Sequence, residues 1–240
     1  HLLAVSGLHT GIVFALVNLL LWWLPLLRRG HLLRNLLAAA CIWIYVAAAG
    51  FPPSAVRAAV MFTMLQSALA SASEYNGLNA LAAAAFGMLL WNPAWLGDIS
   101  FQLSFAAVAA ILAWGVPLCR RLRTRRRALN PITDALAVSL AATLATAPLV
   151  SHTFGIVPLA GVVVNPAAIL LGSVVVLAGA LWMLLPVGWA APAFECVLSH
   201  TAEGLNALAR VTADLPCAAA EYALGGGATA AVYLFFALAT

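Results

Sequence analysis

Long, unbroken apolar stretches are the feature that most constrains the fold of this chain. Most of them approach the length of about 20 residues that a helix needs to cross a bilayer. Hydrophobic residues make up 65% of the 240 residues and charged residues 8%, whereas a soluble domain is about a quarter charged. Backbone groups in lipid must be paired within the protein, which leaves helices or a closed barrel, and a barrel would alternate polar and apolar residues. The sequence therefore predicts an all-α, polytopic transmembrane helix bundle.

Eight to nine hydrophobic segments are expected, some of them broken by proline or re-entrant. They cover about residues 8–27, 32–49, 54–70, 78–91, 98–118, 130–150, 155–185, 193–211 and 228–240. Asn165 and Pro166 interrupt the seventh segment, and we expect them to break it into a short arm and one full span. The eighth carries four ionisable residues, so it either spans against protein or lies at the membrane interface.

The basic residues predict the orientation of these spans. All eleven are arginine, and the formal charge is +4. Arg28, Arg29 and Arg34 flank the first loop, and six more follow the fifth segment: Arg120, Arg121, Arg123, Arg125, Arg126 and Arg127. Because cytoplasmic loops are enriched in arginine, both loops are expected to face the cytoplasm of a multi-pass protein in the bacterial inner membrane. The run at 120–127 is also expected to contact anionic lipid or nucleic acid.

The chain begins at His1, inside an apolar motif, and ends inside another apolar run. We therefore expect one transmembrane domain over residues 1–240 that belongs to a longer protein. No P-loop, zinc-protease or nucleophile-elbow motif is visible, so no enzymatic activity, cofactor or metal is predicted for this segment. The four cysteines show no paired spacing and are interpreted as small core residues.

Polar groups at membrane depth are costly and are the first candidates for function. Arg57 lies one turn inside the third helix, where it either extends to the interface or lines a polar pathway suited to an anion. Asp98 is expected to cap the fifth helix. Gln102 either bonds a neighbouring helix or lines a lumen, and Asn165 is a comparable amide group.

The first nine residues interrupt an apolar helix start with His1, Ser6, Gly7 and His9. The two histidines do not share one helix face at the i, i+4 spacing, which argues against a metal pair. Ser6–Gly7 with a distant His152 imitates the pair of an intramembrane serine protease. This alternative is weak because the motif lacks its first glycine.

Three motifs in order resemble the ComEC competence family, the inner-membrane channels of natural transformation. They are HLLAVSGLHTG at 1–11, GFPPSAVRAAVM at 50–61 and DISFQLSF at 98–105, and the stretch 148–166 also fits. The last third of the chain matches mainly by hydropathy. The resemblance implies a membrane competence domain, with OB-like and metallo-β-lactamase-like domains outside this chain.

The resemblance further implies passage of single-stranded DNA into the cytoplasm, assisted by a DNA-receptor protein and a cytoplasmic helicase-type ATPase. A homo-oligomer is left open. The residues expected to line the path or form its structural motifs are His1, Ser6, Gly7, His9, Arg57, Asp98, Gln102, Asn165 and Pro166. The alternatives are a secondary transporter of a small anionic solute, with its site at the Asn165–Pro166 break, and a membrane scaffold.

Overall fold

The computed structural model describes residues 7–22, 30–70, 76–123, 129–157, 160–184, 188, 191–214 and 220–238. Helices α1 to α4 are Gly7–Leu20, Gly30–Ala48, Pro53–Ala70 and Gly77–Trp91. A 3-10 helix, Pro93–Gly97, precedes one continuous helix made of α5 (Ile99–Ala110), a π-helical stretch (Ile111–Gly115) and α6 (Val116–Leu122). The remaining elements are α7 (Asn130–Phe154), β1 (Ile156–Val157), α8 (Gly161–Leu184), α9 (Ala191–Ala213), β2 (Ala220–Glu221) and α10 (Gly226–Leu238).

The prediction of an all-α membrane bundle is confirmed. Among the described residues, three helices are long and apolar enough to cross a membrane: Ile99–Leu122, Asn130–Phe154 and Gly161–Trp182. Four shorter apolar helices accompany them. Ile44, Leu90 and Val163 expose 69%, 69% and 71% of their surface. Large apolar side chains exposed to this extent suit contact with lipid, not water.

The break predicted at Asn165 and Pro166 is wrong. Helix α8 is continuous from Gly161 to Leu184 and contains Pro166. Pro166 lies near the start of the helix, so its missing N–H deprives only the carbonyl of Val162 of a partner. The amide of Asn165 lies back over the first turn, where a Cβ on Gly161 would be 3.3 Å from its Nδ2 atom.

The chain divides into two compact units, His1–Phe105 and Ala106–Thr240. The core of the first unit is built by α2, α3, α4 and the start of α5. Its buried side chains include Ile42, Val46, Ala59, Met88 and Phe101. Alanines at these interfaces let helix backbones approach closely, which is how helices associate when lipid surrounds them.

In the second unit, a clasp joins the end of α7 to the segment before α10. Strand β1 pairs antiparallel with β2, with Ile156 opposite Glu221. The buried Ser151 hydroxyl donates a hydrogen bond to the Tyr222 carbonyl and accepts one from the Leu224 amide at 3.2 Å. We call this set of contacts the α7–α10 clasp.

Candidate functional site: a buried arginine where three motifs meet

Arg57 lies in the first turns of α3, and its side chain is buried, with 8% of its surface exposed. Helix α3 begins at Pro53, whose missing N–H costs nothing at the first helical position. Of the two interpretations of Arg57, extension to the interface is wrong, because the guanidinium is turned into the first unit. A buried cation is expensive unless its donors find partners, so its surroundings define the site.

The guanidinium of Arg57 is held by three side chains. Its Nε donates a hydrogen bond of 2.8 Å to the Ser104 hydroxyl. Its Nη1 lies 3.7 Å from the Met61 sulfur. Its Cζ lies 5.9 Å from the centre of the Phe105 ring, within cation–π range. None of these three contacts is a carboxylate. The three side chains therefore hold the guanidinium of Arg57 without neutralising its positive charge.

Gly7, at the start of α1, closes the site from a third helix. A Cβ at this position would lie 2.8 Å from an Nη atom of Arg57 and 3.6 Å from the Ser54 carbonyl. A side chain here would therefore displace the guanidinium from Ser104. The three motifs that carry the family resemblance, separated in sequence, meet at Gly7, Arg57 and Ser104.

The turn between α2 and α3 places Arg57 in this position. Gly50 and Phe51 both have positive φ, 82° and 54°, and the Phe51 amide donates to the Val46 carbonyl at 3.0 Å. Such left-handed residues end a helix by pairing its last carbonyls. Pro52 and Pro53 then start the next helix within two residues, which explains the glycine and prolines of the second motif.

The third motif is anchored by Asp98 and Gln102. The Asp98 carboxylate accepts hydrogen bonds from the amides of Ser100 at 2.7 Å and Phe101 at 3.3 Å, so the predicted cap of α5 is confirmed. Gln102 donates through Nε2 to the Leu96 carbonyl at 2.7 Å, and so bonds the preceding 3-10 helix. Both residues fix the start of α5 and thereby the position of Ser104.

A second polar group lies further along the same helices, and we call it the amide seam. Gln66, 3% exposed, donates through Nε2 to the Asn18 side-chain oxygen at 3.0 Å. Asn35 donates to the Gln66 carbonyl at 3.5 Å. The side-chain oxygens of Thr10, Asn35 and Gln66 are buried and accept no hydrogen bond from the described residues. Thr10, Asn18 and Asn35 were not predicted as site residues. The signal that could have identified them is a polar residue within an apolar helix.

An aromatic pair separates the amide seam from Arg57. Phe14 of α1 and Phe62 of α3 stack with ring centroids 4.5 Å apart and an interplanar angle of 5°. Contacts along α1 and α3 run in the same order, from Gly7 near Arg57 to Asn18 near Gln66, so the two helices are parallel. The interface between them is therefore polar at both ends and aromatic in the middle.

An apolar cavity of about 610 Å³ lies on another side of α3. Trp43, Phe51, Trp91 and Trp95 contribute aromatic rings to its wall, and Val56 and Val60 of α3 complete it. None of the described residues that line this cavity is charged. They offer apolar contact.

Five of the other predicted site residues lie outside the described part of the chain. His1 and Ser6 lie outside the described residues, as do Arg125, Arg126 and Arg127, and His9 lies within α1. Arg120 and Arg121 end α6, and Arg123 follows them; all three are exposed. Asn165 and Pro166 lie in α8. The Nδ1 atom of His152 lies 2.9 Å from the Leu224 carbonyl, beside the α7–α10 clasp.

The fold and site define a polytopic α-helical membrane protein in which three motifs enclose one buried arginine. This chain belongs to the competence protein family, since the sequence model of that family matches residues 1–240. ComE operon protein 3 of Bacillus subtilis (strain 168) is 30% identical over 154 residues, which are 64% of this chain and 19% of that protein. The match to the ComEC competence domain predicted from the motifs is thus confirmed. No solved structure matches the chain.

Proposed function

We propose that this chain is the channel domain through which one strand of DNA crosses the bacterial inner membrane during natural transformation. The observation that carries the proposal is the buried Arg57, which the three motifs of the family enclose and whose contacts with the described residues include no carboxylate. A DNA strand bears one negative charge per nucleotide, so its passage requires cations that are not already neutralised. A guanidinium is the side chain best suited to a phosphate.

The amide seam supports the same proposal. A strand in a membrane must exchange water for other hydrogen-bonding groups, and uncharged amides and hydroxyls do not repel phosphate. Gln66, Asn18 and Asn35 supply such groups at the far end of α1 and α3 from Arg57. The Phe14–Phe62 pair lies between the two polar groups. In the proposed path it acts as an apolar constriction that closes the passage when no strand is present.

The exposed arginines after α6 are a second proposed contact for the strand. Arg120, Arg121 and Arg123 extend into the run that continues to residue 127. We propose that this run and residues 28–34 face the cytoplasm. Binding there is expected to be independent of DNA sequence and to weaken with salt.

The remaining parts of the proposal concern the whole protein. Residues 1–240 form its single transmembrane competence domain, which carries no catalytic activity of its own. A DNA-receptor protein delivers the strand, and a cytoplasmic helicase-type ATPase or the proton gradient drives it. A nuclease, where the whole protein has one, belongs to a domain outside this chain.

The test replaces Arg57 with Gln in the full-length protein and measures uptake of labelled DNA by competent cells. Surface-bound DNA is expected to remain, while internalised single strands and transformants fall by at least about tenfold, because the bonded cation is lost from the path. Arg210→Gln is the matched control: it removes the same charge from an exposed position on α9, which belongs to none of the three motifs, and should leave uptake within about twofold of the wild type.

Membrane insertion of both variants is checked by quantifying protein in washed membranes. An Arg57→Gln protein that is inserted at the wild-type level and internalises DNA normally would refute the assignment of Arg57. The solute-transporter alternative predicts changed uptake of a small anion with unchanged DNA uptake. Its proposed site depended on a break at Asn165–Pro166, and α8 is continuous there.

A further inference from the structure

Helix α9 carries a polar stripe along one side. Its members are spaced by four, four, three and four residues, which places them on one face of an α-helix. They are Glu195, Ser199, Glu203, Asn206 and Arg210, and all are exposed. We call these five residues the α9 stripe.

Helix α9 runs antiparallel to α8 and packs along it. A Cβ on Gly204 would lie 3.9 Å from Leu171 of α8. Towards the other end of α9, a groove between the helices is lined by Val164 on α8 and by Leu208 and Thr212 on α9. The helices have 24 and 23 residues, and residues 185–190 connect their other ends. The two helices have nearly the same length, are joined at one end and are in contact at the other. They therefore lie side by side.

Helix α9 is not among the described helices that are apolar enough to span, so its place in the membrane follows from its packing along α8. The stripe runs from Glu195 to Arg210 and covers about 22 Å of the membrane's depth. Residues Gly161–Trp182 of α8 are long and apolar enough to span, and 23 helical residues of α9 reach about 35 Å, against about 30 Å of hydrocarbon. A helix lying in the interface would cross α8 instead of following it. Charges that face lipid at this depth are costly, so something polar must cover the stripe.

A second copy of the chain is a poor cover for these charges. Copies related by an axis along the membrane normal run parallel and bring equivalent residues together. Glu203 would then meet its own equivalent, while Arg210 would lie about 10 Å further along the helix. Like charges facing each other away from water repel strongly. Water has no such conflict, because it can hydrate both carboxylate and guanidinium.

We propose that the α9 stripe lines a water-filled path beside α8 that admits water and small ions. The stripe carries two carboxylates, Glu195 and Glu203, and one guanidinium, Arg210. Its net charge is therefore negative and would repel a polyanion. The path is therefore distinct from the proposed DNA passage at Arg57, and the inference holds whether or not the chain carries DNA. Its ligands are water and small cations.

The test measures the reactivity of cysteines placed on both helices in the full-length protein in native membranes. Cys41, Cys119, Cys196 and Cys217 are first replaced by Ala. Ser199→Cys and Asn206→Cys then probe the stripe. The matched controls are Leu177→Cys and Ile169→Cys on α8, which are 42% and 49% exposed. The pairing of Leu171 with Gly204 places these controls at nearly the same depths as the two probes.

The reagent is a charged, membrane-impermeant methanethiosulfonate applied from both sides. Stripe cysteines are expected to react at least about tenfold faster than the controls, because a thiolate forms in water and not in hydrocarbon. All four variants must react fully after denaturation in detergent, which verifies that each thiol is free.

Two results would overturn the proposal. One is equal protection of stripe and control cysteines in membranes. The other is a disulfide between copies at Asn206→Cys under mild oxidation, which would show that a second copy covers the stripe. Ser199→Cys changes a single atom of an exposed side chain, so loss of folding does not confuse the outcome.

Discussion

At the scale of single residues, the site depends on keeping one cation bonded inside the first unit. Arg57 donates to Ser104 across 47 residues of sequence, and Gly7 leaves the space in which the guanidinium lies. The sequence identified Arg57 because arginine is rare at membrane depth. It could not identify Ser104 as its partner, because a serine in an apolar helix usually bonds its own backbone. Only the packing of α3 against α5 shows that Ser104, unlike such a serine, bonds another helix.

Removing the Ser104 hydroxyl should destabilise the protein. We expect Ser104→Ala to cost about 1–3 kcal/mol, because it leaves a buried charged donor without its acceptor. Thermal unfolding of the purified protein in detergent measures the effect as a lower midpoint temperature. Ser100→Ala, one turn earlier and exposed, is the control and should change stability by less than about 0.5 kcal/mol. Equal midpoints for both variants would contradict the role of Ser104.

At the scale of elements, most helices could be predicted and their irregularities could not. The predicted start of the sixth segment at Asn130 is confirmed by α7, because Pro131 and the apolar run both mark it. The π-helical stretch Ile111–Gly115 was not predicted, although Pro117, which lacks the amide that would bond the Ala113 carbonyl, follows it closely. The predicted break at Asn165–Pro166 failed because the loss of one backbone hydrogen bond, at the Val162 carbonyl, does not end α8.

The cap of α5 gives a prediction at this scale. Asp98→Ala removes the acceptor for two backbone amides and is expected to cost about 1 kcal/mol. Asp98→Asn retains a side-chain oxygen and should keep most of the stability. Circular dichroism during thermal unfolding measures both variants. Since α5 positions Ser104, DNA uptake should fall with Asp98→Ala and recover with Asp98→Asn. An Asp98→Ala protein with wild-type stability would contradict the capping role.

At the scale of the whole molecule, the α7–α10 clasp is the contact that sequence reasoning had no means of finding. Ser151 and Tyr222 are 71 residues apart, and two-residue strands carry no periodic signal. Hydropathy located α7 and α10 but not the link between them. Conversely, most helices of the described residues were predictable, because each of them follows an apolar run of the sequence.

Loss of the clasp should release the segment before α10 without unfolding the bundle. We expect Ser151→Ala to speed hydrogen exchange at the Tyr222 and Leu224 amides about tenfold, or about 1.4 kcal/mol of local stability. Ser173→Ala is the control, because that exposed hydroxyl bonds only a carbonyl of its own helix. Hydrogen–deuterium exchange with mass spectrometry measures both. Unchanged exchange in residues 220–226 of Ser151→Ala would show that Ser151 does not hold the segment.

The burial of Arg57 also has a consequence for biosynthesis. Among the described residues, α3 is not one of the helices apolar enough to be taken up by the bilayer alone, and an arginine adds a cost of a few kcal/mol to insertion. Ser104 and Phe105, which receive the guanidinium, leave the ribosome 47 and 48 residues later. We therefore expect helix α3 to be stably inserted only after α5 has been made. The order of synthesis then becomes part of how this protein enters its membrane.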